Sequence, residues 1–167
     1  MTSKASEHPT TLTTPSDLEI VITRDFDAPR SLVWEAWTKP EHVRRWYGLR
    51  SMTTTVIEID LRPGGAWRWG QAEPNGQEVV FSGVYKEIVP PQRLVYTEGF
   101  EQMPGSGETV VTLTFEEKDG RTTLTSTSVW PSMEVRDMAM ASGMEWGVIE
   151  TYARLDELLD ELLGTKG

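Results

Sequence analysis

Residues 144–164 read MEWGVIETYARLDELLDELLG, and this stretch decides the fold class. Its large apolar side chains recur every three or four positions along the chain: Met144, Val148, Tyr152, Leu155, Leu159 and Leu162. That spacing places them on one face of an α-helix, while acidic residues such as Glu150 and Glu157 fall on the opposite face. Gly164 is a typical helix end. The pattern predicts one long amphipathic helix whose apolar face must pack against another element.

The segments before this helix alternate apolar and polar residues, which is typical of half-buried strands. Turn sequences separate them, such as Pro63 followed by Gly64, the order that a type II turn requires. Two short segments with helical spacing, residues 31–38 and 41–46, follow the first strand. The strands are expected over residues 18–26, 52–61, 66–71, 78–89, 93–98, 108–116 and 121–130. One long helix against one curved antiparallel sheet is an α+β fold.

Length and composition bound the domain organisation. A chain of 167 residues is typical of one domain. Residues 1–17 hold five Thr, three Ser and two Pro, so we predict a disordered N-terminal tail there and one domain over residues 18–163. This tail lacks the apolar run of a signal peptide, and no stretch of the chain is apolar enough for a transmembrane helix. We therefore expect a cytoplasmic protein without membrane insertion.

Charge and cysteine content exclude several classes of site. The formal net charge is −10, which makes nucleic acid an unfavourable partner. The chain has no Cys and only two His, so thiolate nucleophiles, iron–sulfur clusters and Cys-type zinc sites are excluded. We expect neither a metal nor a cofactor. Whether the chain forms a homodimer stays open.

Four short motifs carry a family resemblance. They are DAPR at 27–30, DLRPGG at 60–65, GVY at 83–85 and RL at 154–155. In this order they resemble the homologues of the activator of the heat-shock-protein-90 ATPase, in the START-like (SRPBCC) superfamily, over residues 18–163. The resemblance implies a helix-grip fold, in which a long C-terminal helix lies across a curved antiparallel sheet with a hydrophobic cavity between them. Superfamily members bind lipids, sterols, polyketides or plant hormones, and some are cyclases or hydrolases.

The chain departs from the family pattern at two positions. Val148 follows Gly147 where relatives commonly have Trp, and Leu49 stands where relatives often have Pro. Loss of a large ring at position 148 predicts an enlarged space between the helix and the sheet. The eukaryotic activator also carries an additional N-terminal domain for its chaperone partner, for which a chain of this length has no room.

Aromatic residues on the strands predict a ligand pocket. Trp67 and Trp69 are two positions apart in one strand, so they share a face, and Arg68 between them points away. Aromatic side chains offer an apolar ligand a large contact area with polar groups at their edges. The expected pocket lining is Trp67, Trp69, Phe81, Tyr96, Phe115, Trp130, Val148 and Tyr152. The alternative is that these side chains simply pack against the helix.

Charged residues supply the candidate anchors for a ligand. Arg24 shares its strand face with Ile22, and either Arg24 or Glu98 is the expected polar anchor. In the alternative of an internal ion pair, Arg24 would take Glu98 or Glu87 as its partner. Residues 39–50 hold four cations and one acid, a basic patch that either attracts an anionic ligand or is a solvated helix face.

Function stays open between three classes. The first is binding of a small apolar or amphipathic molecule in a cavity between the sheet and the C-terminal helix. The second is an enzyme (a cyclase, dehydratase or hydrolase) that uses a carboxylate or tyrosine of the pocket as its acid or base, and the sequence identifies no catalytic residue for it. The third is a chaperone-activator-like protein-interaction module, which would use the basic patch.

Overall fold

An eight-stranded antiparallel sheet forms the body of the protein in the computed structural model, which describes residues 8–164. The strands are β1 (Thr11–Thr13), β2 (Glu19–Phe26), β3 (Thr53–Ile59), β4 (Ala66–Ala72), β5 (Glu78–Val89), β6 (Arg93–Phe100), β7 (Thr109–Lys118) and β8 (Arg121–Val129). Across the sheet they run in the order β1-β2-β8-β7-β6-β5-β4-β3. β2, near the start of the chain, therefore pairs with the last strand, β8, and β1 pairs with β2 at the edge of the sheet.

Four α-helices accompany the sheet within the described residues. α1 (Arg30–Thr38) and α2 (Pro40–Trp46) connect β2 to β3, and α3 (Met133–Ala141) and α4 (Met144–Gly164) follow β8. The apolar stripe predicted for the last helix packs inward, with Tyr152, Leu155 and Leu159 buried. The predicted α+β helix-grip architecture is confirmed, with α3 as an addition that the sequence pattern had not indicated.

The N-terminal segment contributes a strand where a disordered tail was predicted. β1 pairs with β2, Leu12 lies opposite Ile22, and Leu12 packs against the hydrophobic core. The prediction of a tail over residues 1–17 is therefore wrong at 11–13, because one apolar side chain and the open edge of β2 suffice to fix a short strand. Residues 1–7 of the predicted tail lie outside the described residues.

His8 links the N-terminal segment to Asp27, just before α1. Its Nε2 lies 3.0 Å from Oδ2 of Asp27, and Arg121 donates through Nε to Oδ1 of Asp27 at 3.2 Å. These partners, His8 foremost, hold the pKa of Asp27 below its usual value. Asp27 thus joins three segments and does not cap α1, whose N-cap position is occupied by Pro29.

The core lies between the inner face of the sheet and helices α1, α2 and α4. Trp37 of α1, Trp46 of α2 and Trp69 of β4 pack together, with ring centroids 4.7 to 6.1 Å apart. Trp34 of α1 meets Phe115 of β7 edge to face at 5.3 Å. Edge-to-face contacts of this kind add to the stabilisation that area burial gives. Aromatic side chains therefore hold the two short helices on the sheet.

The sheet bends where β5 approaches β6. A Cβ on Gly83 would lie 1.8 Å from the carbonyl oxygen of Thr97, so this position requires glycine. The register of the two strands shifts just beyond, between Tyr85 and Glu87. Such a bulge bends its strand and increases the local twist. The register places Gly83 opposite Glu98, so the bend lies beside that carboxylate.

Candidate functional site

The inner face of the sheet is defined by its contacts with α4. Arg24 of β2 reaches Asp156 of α4, with Nη2 3.5 Å from Oδ2. Arg24 lies opposite Leu124 of β8, which in turn lies opposite Phe115 of β7. Directly paired residues share a sheet face, so these three side chains mark the face that α4 covers.

The same register brings Glu98 onto the inner face. Val111 is four positions before Phe115 in β7 and shares its face. Tyr96 of β6 lies opposite Val111, and Glu98 lies opposite Thr109. Glu98 therefore points from the centre of the sheet toward the side on which α4 packs.

A cluster of five aromatic side chains, the aromatic wall, lies beside Glu98 and consists of Tyr47, Trp67, Trp69, Tyr85 and Tyr96. Trp67 packs against Trp69 and Tyr96, with ring centroids 5.7 Å and 5.4 Å away. Tyr47, from the segment after α2, meets Trp69 at 5.2 Å, and Tyr85 of β5 meets Tyr96 at 6.4 Å. These contacts bring three of the predicted lining residues together with two that sequence reasoning missed. The spacing of Tyr85 from Phe81 in one strand could have identified it, whereas nothing local to Tyr47 did.

Five polar side chains of this region have oxygens without a protein partner. Among residues 8–164, no donor or acceptor lies within hydrogen-bond distance of the Glu98 carboxyl or of the tyrosine hydroxyls at 47, 85, 96 and 152. None of these oxygens is sealed in protein, because they are absent from the fully enclosed unpaired atoms. Since each of these oxygens can accept a hydrogen bond and none is fully enclosed, together they can engage the polar groups of a bound molecule.

Burial changes the acid–base properties of these groups. It raises the pKa of Glu98 to about 7, because the charged carboxylate loses hydration that no cation replaces. Burial also raises the pKa of Tyr96 and Tyr47, and the negative charge of Glu98 raises both further. The four tyrosines therefore stay neutral near neutral pH, while Glu98 changes its charge there.

One donor of the aromatic wall is also unpaired. Nε1 of Trp69 is enclosed and makes no hydrogen bond within the described residues. The neighbouring Trp67 differs, since its Nε1 donates to the Thr97 carbonyl at 3.0 Å. The indole N–H of Trp69 is therefore an unpaired donor enclosed within the wall.

The remaining predicted lining residues make contacts outside the aromatic wall. Phe81 stacks on Phe100 with ring centroids 5.2 Å apart. Tyr152 of α4 meets Phe26 edge to face at 5.8 Å. The others are Phe115, which is buried against Trp34, Trp130, whose Nε1 donates to the Ser128 hydroxyl at 2.9 Å, and Val148, which is half-buried on α4.

Arg24 has a different partner from those expected. Its guanidinium pairs with Asp156, and both side chains are buried. Glu98 is not its partner, and Glu87 is engaged by Nε of Arg93 at 2.6 Å. The sequence prediction failed because the long helix brings its own acid over β2, a contact that strand parity alone does not reveal.

The basic patch at 39–50 is engaged by α4. Arg45 pairs with Glu161 at 2.6 Å, and Arg50 pairs with Glu157 at 2.5 Å. Arg154 of α4 donates to the carbonyl oxygens of Arg45, Tyr47 and Gly48, at the end of α2. The patch therefore holds α2 and α4 together, and most of its charge is balanced within the protein.

Two surface recesses with measurable volume lie away from this region. One of about 430 Å³ is lined by Asp25, Lys118, Asp119, Arg121 and Thr123. Another of about 660 Å³ is lined by residues around Leu18 and Met133. The case for a site under α4 therefore rests on its unpaired polar atoms.

Over residues 8–164, no helix combines the length and apolar character needed to cross a membrane.

Comparisons with known proteins place the chain in a wider group. The family model described as Activator of Hsp90 ATPase homolog 1-like protein matches residues 27–160. A crystal structure of a protein from Rhodobacter sphaeroides is 27% identical, with a TM-score of 0.85 over 92% of this chain and 99% of that chain. A solution NMR structure of a protein from Staphylococcus epidermidis is 28% identical, with a TM-score of 0.78 over 90% of this chain and 94% of that chain.

A further structural neighbour is a protein from a biosynthetic locus. DynU16, a protein of the dynemicin biosynthetic locus, is 25% identical, with a TM-score of 0.61 over 87% of this chain and 48% of that chain. No curated protein matches the chain.

Proposed function

The chain belongs to the family of Activator of Hsp90 ATPase homolog 1-like proteins, and from that premise we propose that it binds a small apolar or amphipathic molecule between the sheet and α4. The observation that carries this proposal is the set of unpaired oxygens of Glu98 and four tyrosines on the inner face. Unpaired polar groups next to aromatic side chains are what a pocket needs to orient a mostly apolar ligand.

The two parts of such a ligand have separate partners. Its apolar part packs on Trp67, Trp69 and Tyr96, whose rings meet edge to face. Its polar part accepts hydrogen bonds from the hydroxyls of Tyr47 and Tyr96, or donates hydrogen bonds to these hydroxyls and to the carboxyl of Glu98. DynU16, from a biosynthetic locus, is a structural neighbour that fits a small-molecule role.

The N-terminal half of α4 supports a route to the site. Trp146 is 79% exposed, and Met144 and Val148 are only half-buried, whereas Tyr152 and Leu155 further along are buried. When one half of a helix is buried against the core and the other half buries few apolar contacts, the second half separates from the core more easily. We therefore expect the ligand to enter beside Val148.

Titration with amphiphiles tests the proposal. A panel of small aliphatic and aromatic amphiphiles should give a saturable change in tryptophan emission, since Trp67 and Trp69 contact the ligand. Native mass spectrometry of the purified protein provides a second readout, in which a co-purified molecule appears as added mass. Absence of saturable change across the panel, with no added mass, would contradict the proposal.

Catalysis is a second candidate, favoured by Glu98. A general acid or base works best when its pKa lies near the working pH, and burial raises the pKa of Glu98 to about 7. Glu98→Gln separates the two functions: an enzyme would lose turnover of a bound substrate, whereas a binding protein has no turnover to lose. The interaction-module alternative gains no support from the basic patch, because Arg45 and Arg50 are paired with α4.

A further inference from the structure

The charges near the site leave one carboxylate without a counter-ion. Arg24 and Asp156 balance each other. Arg50 pairs with Glu157, and Arg154 is bound to carbonyl oxygens at the end of α2. Within residues 8–164, no cation lies within ion-pair distance of Glu98. Ionisation of a carboxyl that has lost part of its hydration and has no counter-ion is costly, so ionised Glu98 favours a positively charged ligand group.

The aromatic wall has the same preference. The faces of Trp and Tyr rings carry negative charge density and attract cations, with Trp the strongest. Beside Glu98, Tyr47, Trp69, Trp67 and Tyr96 form a chain of ring contacts with centroids 5.2 to 5.7 Å apart at each step. Rings and carboxylate together therefore select positive charge over negative charge.

The residues that flank Glu98 in the neighbouring strands are small. In β5 the register continues from Ser82 opposite Gly99, which brings Gly83 next to Glu98, and the Thr97 backbone fills the space where a Gly83 side chain would lie. The position opposite in β7 is Thr109, whose side chain is short and buried. Neither flanking residue places a bulky side chain over the Glu98 carboxyl.

We propose that the ligand of this site is a hydrophobic amine in its ammonium form, with its cation against the Glu98 carboxylate and the ring faces of Trp67, Trp69 and Tyr96. This inference rests on the proposed function and names its ligand class. It reverses the expectation of an anionic ligand, which depended on the basic patch. A carboxylate ligand would meet Glu98, and within residues 8–164 no cation lies within ion-pair distance of Glu98 to offset the repulsion.

The titratable neighbours of Glu98 define the expected pH dependence. Tyr96 of β6 and Tyr47 after α2 interact directly with its charge. Beyond Tyr96 lie Tyr85 of β5 and Tyr152 of α4, and beyond Tyr152 the Arg24–Asp156 pair. The tyrosines stay neutral at neutral pH because burial raises their pKa values. A simple alkylamine, like Lys, stays protonated up to pH of about 10. Ionisation of Glu98, with its pKa of about 7, therefore controls binding between weakly acidic and weakly basic pH.

A matched ligand series tests the inference by isothermal titration calorimetry. Octylamine, octanol and octanoate share one tail and differ in the head group, and octyltrimethylammonium has a fixed charge. At pH of about 8, octylamine should bind at least about tenfold more tightly than octanoate. Affinity for both cations should rise from pH of about 6 to about 8, and affinity for octanoate should fall.

Two variants complete the experiment. Glu98→Gln should lower the affinity for octylamine by about tenfold and leave the affinity for octanol within about twofold. Glu116→Gln, at an exposed position of β7, is the matched control and should change neither affinity. Saturable binding of octanol or octanoate as tight as that of octylamine overturns the amine inference and leaves the proposed function standing. No saturable binding by any of the four ligands contradicts both.

Discussion

Arg24 and Asp156 form a buried ion pair between β2 and α4: Nη2 lies 3.5 Å from Oδ2, and each side chain is only 2% exposed. Burial raises the pKa of Asp156, although the charge of Arg24 opposes that change. The guanidinium also lies over the ring of Phe26, 4.8 Å from its centroid. The pair fixes the half of α4 that carries Tyr152, which in turn contacts Phe26.

Removing only one member of this ion pair should destabilise the folded protein. Asp156→Leu leaves the guanidinium buried without its carboxylate, and we expect the free energy of unfolding to fall by about 3–5 kcal/mol. The double variant Arg24→Met with Asp156→Leu should recover much of that loss, because apolar replacement of both partners leaves no buried charge. Urea denaturation measures both. A double variant no more stable than Asp156→Leu would show that the pair is not the cause.

Glu98 should make stability fall as pH rises. Its pKa is raised from 4.5 to about 7, so the folded state holds a proton that the unfolded state has released. The contribution of Glu98 to the free energy of unfolding is therefore fully present below pH of about 4.5 and is lost as the pH rises to about 7. Glu98→Gln should remove this dependence and make the protein more stable than wild type by about 1–3 kcal/mol above pH of about 7. Urea denaturation at several pH values checks it, with Glu116→Gln as the control, and identical pH profiles for wild type and Glu98→Gln would contradict it.

Removal of the first strand should destabilise the protein. A truncation of residues 1–14 removes β1, the packing of Leu12 and the contact between His8 and Asp27. Loss of a partly buried Leu and its strand should cost about 1–2 kcal/mol, which lowers the Tm by about 3–6 °C in a domain of this size. Leu12→Ser in the full chain should reproduce part of the effect, and Thr13→Ser should not. An unchanged Tm on truncation would mean that β1 contributes nothing.

Val148→Trp should fill space under α4. Val148 is half-buried on the side of α4 that faces the sheet. A ring forced into a filled core typically costs about 1–3 kcal/mol, whereas a ring placed in existing space regains contacts. We expect unchanged or higher stability together with weaker ligand binding. Ile149→Trp, at the adjacent exposed position, is the control and should leave binding intact. A loss of more than about 1 kcal/mol with unchanged affinity would place the ligand elsewhere.

Periodicity predicted the elements that present a repeated pattern. The apolar stripe of α4 identified its length and its buried face, and alternation identified β5 from Glu78 to Val89. β1 and α3 escaped prediction for opposite reasons. β1 has three residues, too few for a pattern, and α3 has no buried residue to create an apolar face.

The candidate site was only partly predictable because its contacts are distant in the chain. Strand parity placed Trp67 beside Trp69, but Tyr47 reaches Trp69 from a segment outside the sheet. Leu49, one of the two departures from the family pattern, also lies close to α4: a Cβ on Gly147, the residue before Val148, would lie 4.0 Å from Cδ2 of Leu49. No rule of spacing connects positions about 100 residues apart in the sequence.

The central claim, a small molecule bound against the aromatic wall and Glu98, is tested most directly by the indole N–H resonances in a nitrogen–proton correlation spectrum. The chain has seven Trp, which Trp→Phe variants assign one at a time. Titration with octylamine should shift the resonances of Trp67 and Trp69 in a saturable manner. The resonance of Trp146, whose side chain is 79% exposed, should stay in place as an internal control. Stationary Trp67 and Trp69 resonances, or shifts confined to Trp146, would contradict the account.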